Sequence, residues 1–149
     1  GFSDARTLLA SGNVVFRGRK TSTATVGAAL SRGILATSGV FTRVTVLTAT
    51  ELDDIIDANP LVAVATNPSR LLVSVYGDTD GRATLEPLRH RRWAPGALAL
   101  GPRAAYVWCP DGVLQSAAAD AIAKTLKDAV TSRNWSTLTK LQTLARDLK

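Results

Sequence analysis

Three side chains with recognition chemistry stand together where an amphipathic helix begins: Arg133, Asn134 and Trp135, in the stretch TSRNWSTLTKLQTLA at 131–145. An asparagine at a helix start accepts from a first-turn amide, and the amides it leaves over sit at the positive end of the helix dipole. An arginine fork beside such an end suits a carboxylate or phosphate, and an indole ring offers a face to a base. The same three residues also make a plain capped helix, with Trp135 as a core plug and Arg133 paired to a carboxylate. Two other positions join the candidate set. Ser11-Gly12-Asn13 suits a hairpin turn, and Asn13 adds a polar contact if that turn faces Arg133. Asp111-Gly112 followed by Ser116 reads as a strand-to-helix loop whose amides suit a phosphate, while Ser116 equally serves as an N-cap. The ligand-binding candidates are therefore Arg133, Asn134, Trp135, Asn13 and Ser116.

Catalytic constellations are hard to assemble from the remaining residues. His90 is the one histidine, and it stands in Arg89-His-Arg-Arg92 with no adjacent carboxylate, as a solvated surface histidine would. Cys109 is the one cysteine, set between Trp108 and Pro110, which suits a packed thiol better than a nucleophile. Asp53, Asp54 and Asp57 share one helix without histidine or cysteine at ligand spacing, so they read as a solvated face and no metal site is expected. No phosphate-loop or dinucleotide fingerprint is present, so no cofactor is expected.

The composition bounds the partners. With 149 residues, 46% of them hydrophobic, the chain is long enough to bury a core as one domain or two intimate subdomains. The formal charge of +6 comes mostly from arginine and favours acidic partners, although surface arginine for solubility explains it too. An anionic small molecule or a nucleic acid is the expected partner class. Every apolar run is interrupted well short of about eighteen residues, so no membrane association is expected. The N-terminus lacks the order of a secretory signal, and a lone cysteine gives no sign of an oxidising compartment, which points to the cytoplasm. The chain has no methionine, which reads as N-terminal processing or truncation.

The elements that must position these groups follow from periodicity and punctuation. Residues 5–10 and 13–17 read as a hairpin around Ser11-Gly12. Residues 23–37 have helical spacing, weakened by Gly27 and Gly33. FTRVTVL at 41–47 reads as a third strand on its β-branched content, with imperfect alternation. Thr48 and Glu51 have capping-box spacing, so a helix is expected over 49–58, stopped by Asn59-Pro60. Further on, 70–77 reads as a buried strand, 83–89 as a short helix limited by Pro87, and 97–100 with 104–109 as a hairpin. A helix over 116–129, an edge pairing at Val130-Thr131 and a final helix over 135–148 complete the order.

Four stretches occurring in this order carry a family resemblance: ASGNVVFRG (10–18), DANP (57–60), YVWCPDGVLQS (106–116) and TSRNWSTLTKL (131–141). Together they resemble the uncharacterised bacterial family called domain of unknown function 1697. The resemblance implies two βαββαβ subdomains, the first normally opening with a strand, a glycine-rich RGIN loop and a helix that this sequence lacks. It implies no activity.

The fold expected is thus α+β: two ferredoxin-like (βαββαβ) subdomains, the first N-terminally incomplete, plus a C-terminal helix. Residues 1–59 would form the incomplete first subdomain with a linking helix, and 60–149 the second with the closing helix. The leading functional reading is non-catalytic binding of an anionic ligand. The alternatives are an enzyme acting on a small phosphorylated or carboxylated substrate, with Arg133 and Asn134 as positioning groups, and an interaction protein that forms a homo-oligomer through an exposed sheet edge.

Overall fold

The computed structural model describes residues 2–8, 12–18, 20–77 and 80–148. The expected roles of Ala10 and Ser11 fall outside those residues. Within them the chain is a mixed α+β protein with five α-helices and two antiparallel sheets. It divides into two compact units, one made of Gly1–Asp53 with Lys140–Lys149, the other of Asp54–Thr139.

The second unit carries the larger sheet. Its elements are β3 (Leu71–Tyr76), α3 (Gly81–Arg89), β4 (Ala97–Leu100), β5 (Ala104–Trp108), α4 (Ala117–Leu126) and β6 (Val130–Asn134). The sheet order is β4-β5-β3-β6, antiparallel throughout. β3 and β5 are central and buried on both faces, which explains why LLVSVY and AAYVW read as near-continuous apolar runs. One face, with Leu72, Tyr76, Ala105 and Val107, packs against Leu85 and Leu88 of α3 and Ile122 and Leu126 of α4. On the other face Tyr106 is buried, and its hydroxyl donates to the Ile55 carbonyl at 2.5 Å. A hydrogen bond of 2.8 Å between the Ser74 and Ser132 hydroxyls joins β3 to β6. α3 runs on through Pro87 to Arg89. The proline costs a ladder bond worth about 3 kcal/mol with its clash, and burial of Leu85 and Leu88, at roughly 2 kcal/mol each, offsets it.

The first unit is sparser. β1 (Ser3–Leu8) and β2 (Asn13–Arg17) form an antiparallel hairpin closed by the Leu8–Asn13 pair, with Gly12 at φ 82°, where a side chain would be strained. α1 (Thr23–Ser38) starts at Ser22, whose hydroxyl accepts from the Thr25 amide at 3.0 Å, and ends at Gly39. α2 (Ala49–Asp57) opens on the expected capping box: the Glu51 amide donates to Thr48 Oγ1 at 3.1 Å and the Thr48 amide to Glu51 Oε2 at 2.8 Å. The last helix, α5, spans Trp135–Asp147. Residues 41–47 depart from expectation and form no strand. β-propensity becomes a strand only where a neighbour supplies the ladder, and the described sheet of this unit stops at β1 and β2.

Candidate functional site

β6 is an edge strand, and its pairing with β3 sets the start of α5. Leu72 stands opposite Asn134 and Val73 opposite Arg133. At the last paired residue the Asn134 side chain turns strand into helix, its Oδ1 accepting from the Thr137 amide at 2.8 Å. Arg133 Nη1 donates to the Ser132 carbonyl at 2.8 Å. Arg133, Asn134 and Trp135 are all half-buried, so Trp135 is not a fully enclosed plug. Strand alternation puts Arg133 on the Val73 and Tyr106 face of the sheet.

Ser116 lies at the same end of that sheet. Leu71 is opposite Trp108 and Leu72 opposite Asn134, so the ends of β5 and β6 flank the beginning of β3. The chain leaving β5 turns through Pro110 and Gly112 into α4, where Ser116 Oγ accepts from the Ala119 amide at 3.1 Å. A cleft of about 140 Å³ opens beside this turn, lined among others by Trp93, Gly96, Trp108, Asp111, Gln115 and Ser116. The 93–96 loop reaches it because Gly96 has no side chain: a Cβ there would lie 2.6 Å from the Trp108 carbonyl oxygen. Trp93 is held by its indole N–H, which donates to the Leu88 carbonyl at 2.9 Å, and by the Arg91 guanidinium 4.7 Å from its ring centroid. Arg70 donates to the Pro110 carbonyl and ties the start of β3 to the same turn. Cys109 also lines the cleft, but it is buried. Burial pushes its thiol up from the ordinary value, and a hydrogen bond with Ser116 pulls the other way.

Asn13 sits in the first unit, buried, with its Nδ2 donating to the Leu8 carbonyl at 3.3 Å across the hairpin. The structure thus brings Ser116 and the Arg133–Asn134–Trp135 run to one end of a single sheet. His90 is exposed. Asp53 accepts from Gln142 Nε2 at 2.6 Å and lies 3.7 Å from Arg146. Among the described residues no three potential ligands gather around a metal position. Trp93, Gly96 and Arg70 were not singled out by sequence reasoning. The signal available for the first two was WAPG, an aromatic joined to a proline-glycine turn.

A family model for proteins of unknown function, DUF1697, matches residues 1–106. The chain belongs to the DUF1697 family. The family match ends inside β5, so Ser116, Arg133, Asn134 and Trp135 of this DUF1697 protein lie beyond it. Among solved structures the chain resembles the conserved bacterial protein SP0830 from Streptococcus pneumoniae, with a TM-score of 0.76 and 15% identity. The likeness covers 98% of this chain and 82% of that one, and at this identity it shows the fold alone. No curated protein matches the sequence. Among the described residues no helix is long and apolar enough to cross a membrane.

Proposed function

We propose that this DUF1697 protein is a non-catalytic binding domain for an anionic ligand, a phosphate-bearing small molecule or a nucleic acid. The ligand would sit at the end of the second unit's sheet, where α4 and α5 begin. The observation carrying this reading is that two capped helix starts, at Ser116 and Asn134, share that end with Arg133 and Arg70. Each cap takes up one first-turn amide, and the positive ends of both dipoles favour a negative group nearby. The order β4-β5-β3-β6 supports a ferredoxin-like reading of this unit, with the first unit as its incomplete counterpart. A protonated, buried Cys109 and an Asp53 engaged by Gln142 and Arg146 favour binding over turnover, and a buried lone thiol fits a reducing cytoplasm.

Titration of the full chain with inorganic phosphate, a nucleoside monophosphate and a short single-stranded oligonucleotide, at about 50 and about 200 mM salt, tests the reading. Binding of at least one probe is expected, weakening steeply with salt. Arg133→Ala should weaken it about tenfold or more, the value of one charged hydrogen bond. Unchanged affinity in that variant removes Arg133 from the site. Absence of salt-dependent binding for all three probes sinks the reading, and conversion of a probe to product would make the protein an enzyme.

A further inference from the structure

The cleft beside the turn from β5 into α4 is built locally: all of its walls come from residues 93–118 of the second unit. Two indoles, of Trp93 and Trp108, are among them. Trp93 is fixed before any ligand arrives. Its N–H is spent on the Leu88 carbonyl and the Arg91 guanidinium lies 4.7 Å from its ring centroid, so it offers the cleft ring surface and no donor. Trp108 ends β5 and is 9% exposed. Walls held in this way lose little entropy when a flat group settles against them. The space, about 140 Å³, is close to the roughly 150 Å³ that encloses one six-membered aromatic ring. A fused two-ring base exceeds it.

The polar groups of the rim narrow the choice of ring. Asp111 supplies a carboxylate acceptor, and Gln115 an amide that both donates and accepts. Both residues are exposed, and neither side chain has a partner among the described residues. An ionised carboxylate repels a bare phosphate, so a ligand bound here presents a donor to Asp111 and carries its negative charge elsewhere. Arg70 marks the place for that charge. Its Nη1 donates to the carbonyl of Pro110, the residue before Asp111, and its exposed fork has further donors for an anion. Ring surface, an acceptor for an amine, an amide and a guanidinium thus meet around one cleft.

We propose that the ligand is a pyrimidine nucleotide of the cytosine type, with its base in this cleft. The inference rests on the anion-binding reading and gives that anion a ring. The base stacks against the indole walls, its exocyclic amine donates to Asp111, and the Gln115 amide pairs with its carbonyl edge. The phosphate lies on Arg70. No bond is made or broken.

Calorimetric titration of the full chain with CMP, UMP, AMP, ribose phosphate and cytidine tests the proposal. CMP should bind at least about tenfold more tightly than ribose phosphate, the value of one stacked base. It should also exceed UMP, whose carbonyl replaces the amine, by about tenfold, and exceed AMP, whose base is larger than the cleft. Asp111→Ala should bring CMP down to UMP. Ala117→Phe, at an exposed position of the cleft wall, fills the space and should bring CMP down to ribose phosphate, with an amide NMR spectrum like the parent's showing the fold intact. Ribose phosphate binding as tightly as CMP would overturn the ring and leave the anion reading standing. Cytidine binding as tightly as CMP would instead overturn the anion reading, and the nucleotide with it. UMP or AMP preferred over CMP would overturn the cytosine-type edge. CMP binding unchanged by Ala117→Phe would overturn the cleft as the place of the base. Binding by no probe would overturn both readings.

Discussion

Tyr106 and Tyr76 are the chain's two tyrosines, and each is buried with its hydroxyl donating to a backbone carbonyl: Tyr106 to Ile55 at 2.5 Å, Tyr76 to Gly101 at 3.2 Å. Burial disfavours the phenolate and pushes both up to about 12 from an ordinary 10.0. The unfolded chain therefore releases these protons first as pH rises. Stability from this source is complete below pH 10 and is lost as pH climbs towards 12. Absorbance at the phenolate band should stay flat through pH 10.5 in the folded protein and rise in urea over that same range. A folded protein showing both phenolates by that pH would contradict the burial. Of the residues that matter at this scale, Ser116 and Asn134 were legible in the sequence because capping is local: the oxygen and the amide it accepts are three positions apart. Gly96 was not, because its role depends on the Trp108 carbonyl, brought near by the pairing of β4 with β5.

At the scale of elements, α5 shows how much one cap carries. Asn134 ends a ladder and starts a helix at once, so Asn134→Ala leaves the Thr137 amide without its acceptor and should cost about 1 kcal/mol. Asn134→Asp keeps an acceptor oxygen and should cost less. Urea denaturation of the three proteins measures the order, and an alanine variant as stable as the parent would show that the cap contributes nothing. The helices were legible from caps and periodicity, including α1 despite two glycines, since sixteen residues hold a ladder that single weak positions do not break. The 41–47 segment was not legible for the opposite reason. A strand's ladder lies on another part of the chain, so β-branching in FTRVTVL states a capacity that the described unit does not use. α3 ends at Arg89, where the sequence around Pro87 set its limit, and begins at Gly81, two residues before the expected start.

Across the whole molecule, burial is distributed unevenly between the two units. The buried described residues of the first are Asn13, Val26, Gly27, Leu52 and Leu148, whereas the second buries most of β3 and all of β5, together with the inner faces of α3 and α4. Local opening costs least where few apolar contacts break and where a sheet has two strands instead of four. Native-state hydrogen exchange should therefore rank the chain in a definite order. Amides of Val73, Val75, Ala105 and Val107 should be the slowest, exchanging only with opening of the second unit as a whole. Amides of β1 and β2 should exchange orders of magnitude faster, under conditions where the second unit stays closed. Equal protection in both hairpins would mean that the first unit is stabilised by something its own packing does not supply. Charge follows a different division: the first unit carries +5, while the second, with nine basic and eight acidic residues, carries +1. Long-range attraction of anions thus comes chiefly from the first unit, and selection among them, on the proposed reading, from the capped helix starts of the second. Raising salt should slow association more than it changes which anion is preferred.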